Sequence, residues 1–155
     1  MRIAVLAHVR QPIAEPFMGG MEAHSWHLTA GLLSRGHDVV LFASGDSDPR
    51  FALDPVLDEH YDRSFPWAEH KGSAPLIAHV DAGYAAACAR IAAGGFEVVH
   101  NNSLHRFPLR LARDHGVPTV TSLHVPPFEA LHGFVRNSPG PGHRLTVTSG
   151  RQRHC

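Results

Sequence analysis

MRIAVLAHVRQPIAEPFMGGMEAHSWHLTAGLLSRGHDVVLF, residues 1–42, runs a short apolar segment, a glycine pair and a long helical pattern together without a break. Ile3-Ala4-Val5-Leu6-Ala7 has no polar alternation and is far too short to cross a membrane, so it reads as a strand buried on both faces, the kind found inside parallel sheets. A loop with Pro12, Pro16 and Gly19-Gly20 follows. From Met21 to Arg35, Leu28 with Leu32 and Trp26, Ala30 with Leu33 recur at three- and four-residue spacing, which predicts a helix that Gly36 stops. Asp38-Val39-Val40-Leu41-Phe42 is a second apolar run, and the three pieces make a βαβ unit with glycines in its first turn.

The same alternation continues along the chain. Residues 44–73 keep no period and read as a long connection with room for one short element near Val56 to Tyr61. Ala74 to Ala93 is helical through Ile77, Val80, Tyr84, Ala87, Cys88 and Ile91, and Gly94-Gly95 closes it. Phe96 to His100 is a strand that runs into Asn101-Asn102-Ser103-Leu104-His105. Pro108 to His115 is a short helix ended by Gly116, and Val117 to Leu123 is a strand whose Pro118 lies near its start. Pro126-Pro127 leads to a candidate short helix, Phe128 to Phe134. Asn137 to Gly142 is loop, and Arg144 to Thr148 is a fifth strand. Trp26, Tyr84 and Phe96 are assigned to the core. The expectation is one α/β domain over residues 1–155, a Rossmann-like parallel sheet of about five or more strands with helices on both faces and right-handed crossovers.

Composition bounds what such a domain can do. At 155 residues it is large enough to bury about two-thirds of its unfolded surface. Fourteen basic side chains against fourteen acidic ones leave no net field to hold a nucleic acid or an anionic membrane, so any anionic partner must be bound locally. Fourteen histidines would make the chain cationic in acid. Two cysteines, Cys88 and Cys155, make no disulfide framework and suit a reducing compartment. No leader pattern and no run near the ~20 apolar residues of a spanning helix occurs, so the expected location is cytoplasmic, without a transmembrane segment.

In open α/β sheets the ligand crevice lies beyond the carboxyl ends of the strands. Three polar clusters fall there: His8 with Gly19-Gly20, His100 to His105, and His124 to Pro127. Glycines at 19 and 20 let a backbone approach an anion at a helix amino end, with Glu22 in the first turn. The same residues also describe a flexible turn whose acid complements the helix dipole. His124 could bond a sugar hydroxyl or a nearby carbonyl. Asn101, Asn102 and His105 could line a polyol pocket, since amides and imidazoles both donate and accept, or could tie up their own loop. His24 with His27, or His100 with His105, could approach zinc, but no cysteine pair or H-E-x-x-H accompanies them, so no native metal is expected. No nucleophile elbow, Ser-His-Asp order or Walker loop is present.

These residues together resemble the amino-terminal domain of a family 4 glycosyltransferase, one half of a GT-B fold. The resemblance runs from Met1-Arg2-Ile3-Ala4 through Gly19-Gly20-Met21-Glu22, Leu32 to Val39 and Phe96 to Asn102 to Gly116 through His124. It implies retaining transfer from a nucleotide-sugar to a hydroxyl acceptor, without a cofactor or metal. In it Gly19, Gly20 and Glu22 meet the donor phosphates, His124 lies by the transferred sugar as the catalytic candidate, and His100, Asn101, Asn102, Ser103 and His105 face the acceptor. It also implies a second, nucleotide-sugar-binding domain, in cis or in trans, whose Glu-x7-Glu pattern has no counterpart here, so the chain alone is expected to be inactive. The other reading is a non-catalytic Rossmann-like module that binds a small polar ligand or a protein partner; a histidine-rich metal binder is a third.

Overall fold

The computed structural model describes residues 1–126, 129–137 and 140–150. Pro127 and Phe128 of the expected turn into a helix, Ser138 and Pro139 of the expected loop, and Cys155 lie outside the described residues. The core is set by β1 (Arg2–Leu6), whose alternate side chains enter two separate apolar clusters. Ala4 and Leu6 face one side, and Ile3 and Val5 the other; all four are at most 4% exposed. A strand without polar alternation is therefore one with a packed layer on each face.

Six strands form one parallel sheet in the order β3-β2-β1-β4-β5-β6. The others are β2 (Asp38–Ser44), β3 (Ala52–Leu57), β4 (Val98–Asn101), β5 (Thr119–Leu123) and β6 (His143–Val147). The order runs outward from β1 to β2 and β3, then returns to β4, β5 and β6 on the other side. The boundary between β1 and β4 is thus the topological switch point, where such sheets open a crevice.

One face carries α1 (Gly20–Ser34), with Trp26, Leu28, Ala30 and Leu32 packed on the Val5, Val39 and Leu41 side. The other carries α4 (Ala74–Ala93) and α5 (Leu111–His115), through Leu76, Tyr84, Ile91 and Leu111. α4 starts on Ser73, whose hydroxyl accepts from the Leu76 N–H at 3.4 Å. At Gly83 it comes so near β3 that an added Cβ would stand 2.6 Å from the Val56 carbonyl and 2.7 Å from Leu57. Cys88 lies on the same helix, buried, with burial pushing its thiol up to about 12. Gly36 and Gly116 close α1 and α5 with positive φ, as their expected role as stops requires.

Two sequence expectations change. Residues 44–73 hold a full strand, β3, and two single-turn helices, α2 (Tyr61–Ser64) and α3 (Trp67–His70), rather than one short element. β3 is an edge strand, so Pro55 in its middle costs no ladder bond on its open side. The most buried face of α1 is Glu22, Ser25 and Thr29, not its leucines. Ser25 and Thr29 are short enough to let the helix sit close to the sheet, and the Thr29 hydroxyl returns to the Ser25 carbonyl at 2.7 Å. Past β5, α6 (Glu129–Asn137) leads to β6.

Candidate functional site

The carboxyl ends of β1, β4 and β5 and the amino end of α1 meet at one rim. The Asn102 N–H donates to the Leu6 carbonyl at 2.7 Å, fastening the residue after β4 to the end of β1. Along the rim runs a cleft of ≈ 840 Å³, lined by His8 and Arg10 after β1, Gly19 to Glu22 at the start of α1, Leu76 to Tyr84 on α4, and Ser103 to Arg106 after β4. Its volume lies within the range of ligand pockets.

Gly19 is the residue before α1, in extended backbone at φ −164, and a Cβ there would stand 3.0 Å from the Glu22 carboxylate. At Gly20 an added Cβ would meet nothing within 4 Å, and its φ is not positive. Neither packing nor backbone conformation of the described chain asks for glycine at 20. The space over that residue is open to whatever approaches the helix amino end.

Three imidazoles, His24, His100 and His124, gather beside the strand ends without lining the cleft, and Asn102 does not line it either. The His24 and His124 rings meet edge to face at 4.6 Å, with His100 at 6.3 Å from His24. His124 Nε2 lies 2.8 Å from Asn102 Oδ1, which can only accept, so the ring carries its proton on Nε2. Burial lowers the pKa of all three: His24, His124, which also faces His24, and His100, brought down to about 4 with help from its two neighbours. At neutral pH the cluster is uncharged. Asn102 is fully buried, and its Nδ2 has no hydrogen-bond partner among the described residues.

The remaining predicted residues divide. Ser103 and His105 line the cleft. His105 stacks on Tyr84 at 4.3 Å, Nε2 donates to Asp81 at 2.9 Å, and Nδ1 accepts from the Phe107 N–H at 3.3 Å. Asp81 would ordinarily draw a proton onto this ring. Arg106 already neutralises that carboxylate, and burial dominates, holding His105 down to about 4. Asn101 does not face the cleft; its amide donates to Thr121 at 3.1 Å and accepts from the Ser103 hydroxyl at 2.6 Å, fastening the end of β4. His100 is bonded to Ser122 at 2.9 Å. His8 is held down to about 4 by burial and by Arg10.

The three separated segments are thus brought together, and α4 adds what sequence reasoning passed over: Asp81, Ile77 and the hydroxyl of Tyr84, which donates to the Ala7 carbonyl at 2.8 Å. A signal existed for Asp81, which sits one turn from Ile77 and Tyr84 on an otherwise apolar stripe. His27 faces Phe17 and Trp26 at 5.8 and 5.0 Å, apart from the imidazole cluster. Among the described residues no group of three or more His, Cys, Asp or Glu is placed to hold a metal ion, and no helix is long and apolar enough to cross a membrane.

No curated protein matches the sequence closely enough to stand as a relative. The family described as Glycosyltransferase Family 4 matches residues 18–154, from the glycine pair at the amino end of α1 to beyond β6, and the chain belongs to that family.

Proposed function

We propose that this domain is the acceptor side of a retaining glycosyltransferase, which moves a sugar from a nucleotide-sugar to a hydroxyl acceptor when a second, nucleotide-binding domain closes over the rim. The observation that carries the reading is the junction of an open helix amino end at Gly20 with the uncharged His24, His100 and His124 cluster at the switch point of the sheet. Family membership supports sugar transfer; the retaining course and the donor class come with the resemblance.

Each residue takes the part its chemistry allows. The N–H groups at the start of α1 and its partial positive charge meet the donor phosphate, and Gly20 gives that phosphate room. Glu22 carries the wrong charge for a phosphate. In the first turn it is stabilised by the helix dipole and serves as an acceptor for a donor hydroxyl. His124, held neutral and oriented by Asn102, is a hydrogen-bonding partner for the transferred sugar. Ser103 and His105 face the acceptor, while His100, Asn101 and Asn102 hold the strand ends that position them.

A leaving diphosphate needs more positive charge than one helix end supplies. The two guanidiniums of the cleft are already engaged: Arg106 is bonded to Asp81, and Arg10 Nε lies 3.4 Å from Asp62. The missing cations would come from the second domain, without a metal. The test assays the 155-residue chain alone and mixed with a separately made nucleotide-sugar-binding domain of a family 4 enzyme, in EDTA. Transfer only in the mixture is expected; transfer by the chain alone would refute the need for a partner domain. Gly20→Ala gives the sharper result. Its stability should hold or rise, because alanine is the better helix former by up to ~1 kcal/mol, while transfer falls. Unchanged transfer would remove Gly20 from the phosphate site.

A further inference from the structure

The acceptor cleft is apolar where a sugar would want hydroxyl partners. Met18, Trp67, Leu76, Ile77, Val80 and Leu104 line it, and of these Met18 and Ile77 stand 73% and 45% exposed. Apolar side chains of that size left in water at the mouth of a cleft mark a surface built to be covered. The polar lining comes from His8, Arg10 and Gln11 after β1, Glu22 on α1, Asp81 on α4 and Ser103, His105 and Arg106 after β4, and it leaves the stretch from Trp67 through Leu76, Ile77 and Val80 as an apolar wall.

Charge narrows the occupant further. Among the described lining residues the carboxylates of Glu22 and Asp81 oppose the guanidiniums of Arg10 and Arg106. Arg106 is committed to Asp81, and Arg10 lies against Asp62 with its guanidinium over the Trp67 ring at 5.1 Å. An anionic acceptor such as a sugar phosphate would find no unpaired guanidinium in the lining; the Lys71 ammonium stands 5.8 Å from the centre of the Trp67 ring but does not itself line the cleft. A free polyol would leave most of the apolar wall unmatched.

Resting on the acceptor-side reading above, we infer that the acceptor is an uncharged hydroxyl compound with an apolar body. Its ring or chain lies against Met18, Trp67, Ile77 and Val80, and its hydroxyl reaches the polar end near Ser103 and His105. A cleft of ≈ 840 Å³ holds a body larger than a single sugar ring.

The chain has two tryptophans, and only Trp67 lines the cleft; Trp26 lies on the opposite face of the sheet, its indole N–H bonded to Asp48 at 2.8 Å. Their indole N–H signals in a nitrogen-edited NMR spectrum therefore report the cleft and an internal control. The chain is titrated with 2-naphthol, with myo-inositol and with myo-inositol 1-phosphate. The expected result is a saturable shift of the Trp67 signal by 2-naphthol, Trp26 unmoved, at concentrations at least about tenfold below those needed for either polyol, as removal of a large apolar area from water requires. Ile77→Asp and Met18→Lys alter exposed positions and should each weaken that binding about tenfold. Tighter binding of inositol or its phosphate at Trp67 would overturn the apolar acceptor and leave the acceptor cleft standing. A Trp67 signal moved by none of the three would overturn both. Naphthol binding indifferent to both variants would overturn the assignment to this wall.

Discussion

The proton on His124 is fixed by a single neighbour. Asn102 Oδ1 accepts from Nε2, while burial and the His24 ring disfavour a second proton, so the imidazole stays neutral at physiological pH. Followed by NMR, His124 should titrate below the ordinary histidine value of ~6.5. Asn102→Asp places a carboxylate at the same distance and should raise that pKa above the ordinary value. A His124 that titrates normally in the unaltered chain would remove the cluster as an uncharged unit. At this scale the sequence was legible by type and less so by partner. Asn102 and His124 stood out as polar residues at strand ends, but nothing in a linear reading says that one holds the other. His24, near the start of a helix pattern, pairs in a linear reading with His27 and not with the strand-end residues it meets, and Asn101, identical in type to its neighbour, turns its amide inward.

Among elements, the contact of α4 with β3 is the tightest made by a glycine within a helix, and it sets where the apolar wall of the cleft stands. Gly83→Val would drive a side chain into the Val56 carbonyl and Leu57, and should cost about 1–3 kcal/mol, read as a lower urea midpoint at unchanged slope. If this glycine were merely tolerated, a larger residue would leave the midpoint in place or raise it. The βαβ opening, α4 and the strands β4 and β5 could be read from apolar runs and glycine stops because burial on both faces leaves an uninterrupted pattern. β3 could not: Asp54-Pro55 interrupts it, and only its edge position, a property of the whole sheet, makes that interruption harmless. The close seat of α1 was hidden for a related reason, since Ser25 and Thr29 look like surface residues until the distance to the sheet is known.

Over the whole molecule the buried histidines tie folding to pH. His8, His100 and His105 are held down to about 4, against 6.5 in an unfolded chain. Between those values the unfolded chain takes up protons that the folded one refuses, so stability is complete above pH ~6.5 and falls as pH falls through the window. By pH 5 the loss should reach about 2–4 kcal/mol, with allowance for the partial exposure of His100. Urea unfolding at pH 7 and pH 5 measures it, and equal or greater stability at pH 5 would contradict the buried, neutral state of these rings. The histidine excess is conspicuous in the composition. What it does depends on which rings the fold encloses, and composition does not contain that.

The thiol beneath α4 turns the same packing into a counter. With burial pushing Cys88 up to about 12, the reactive thiolate is nearly absent in the native state, and an alkylating reagent can modify it only when the helix lifts away. Timed exposure to iodoacetamide, with digestion and mass analysis to separate the Cys88 peptide from that of Cys155, should therefore clock how often the layer under the cleft comes apart. A bound acceptor resting on that helix should slow the clock.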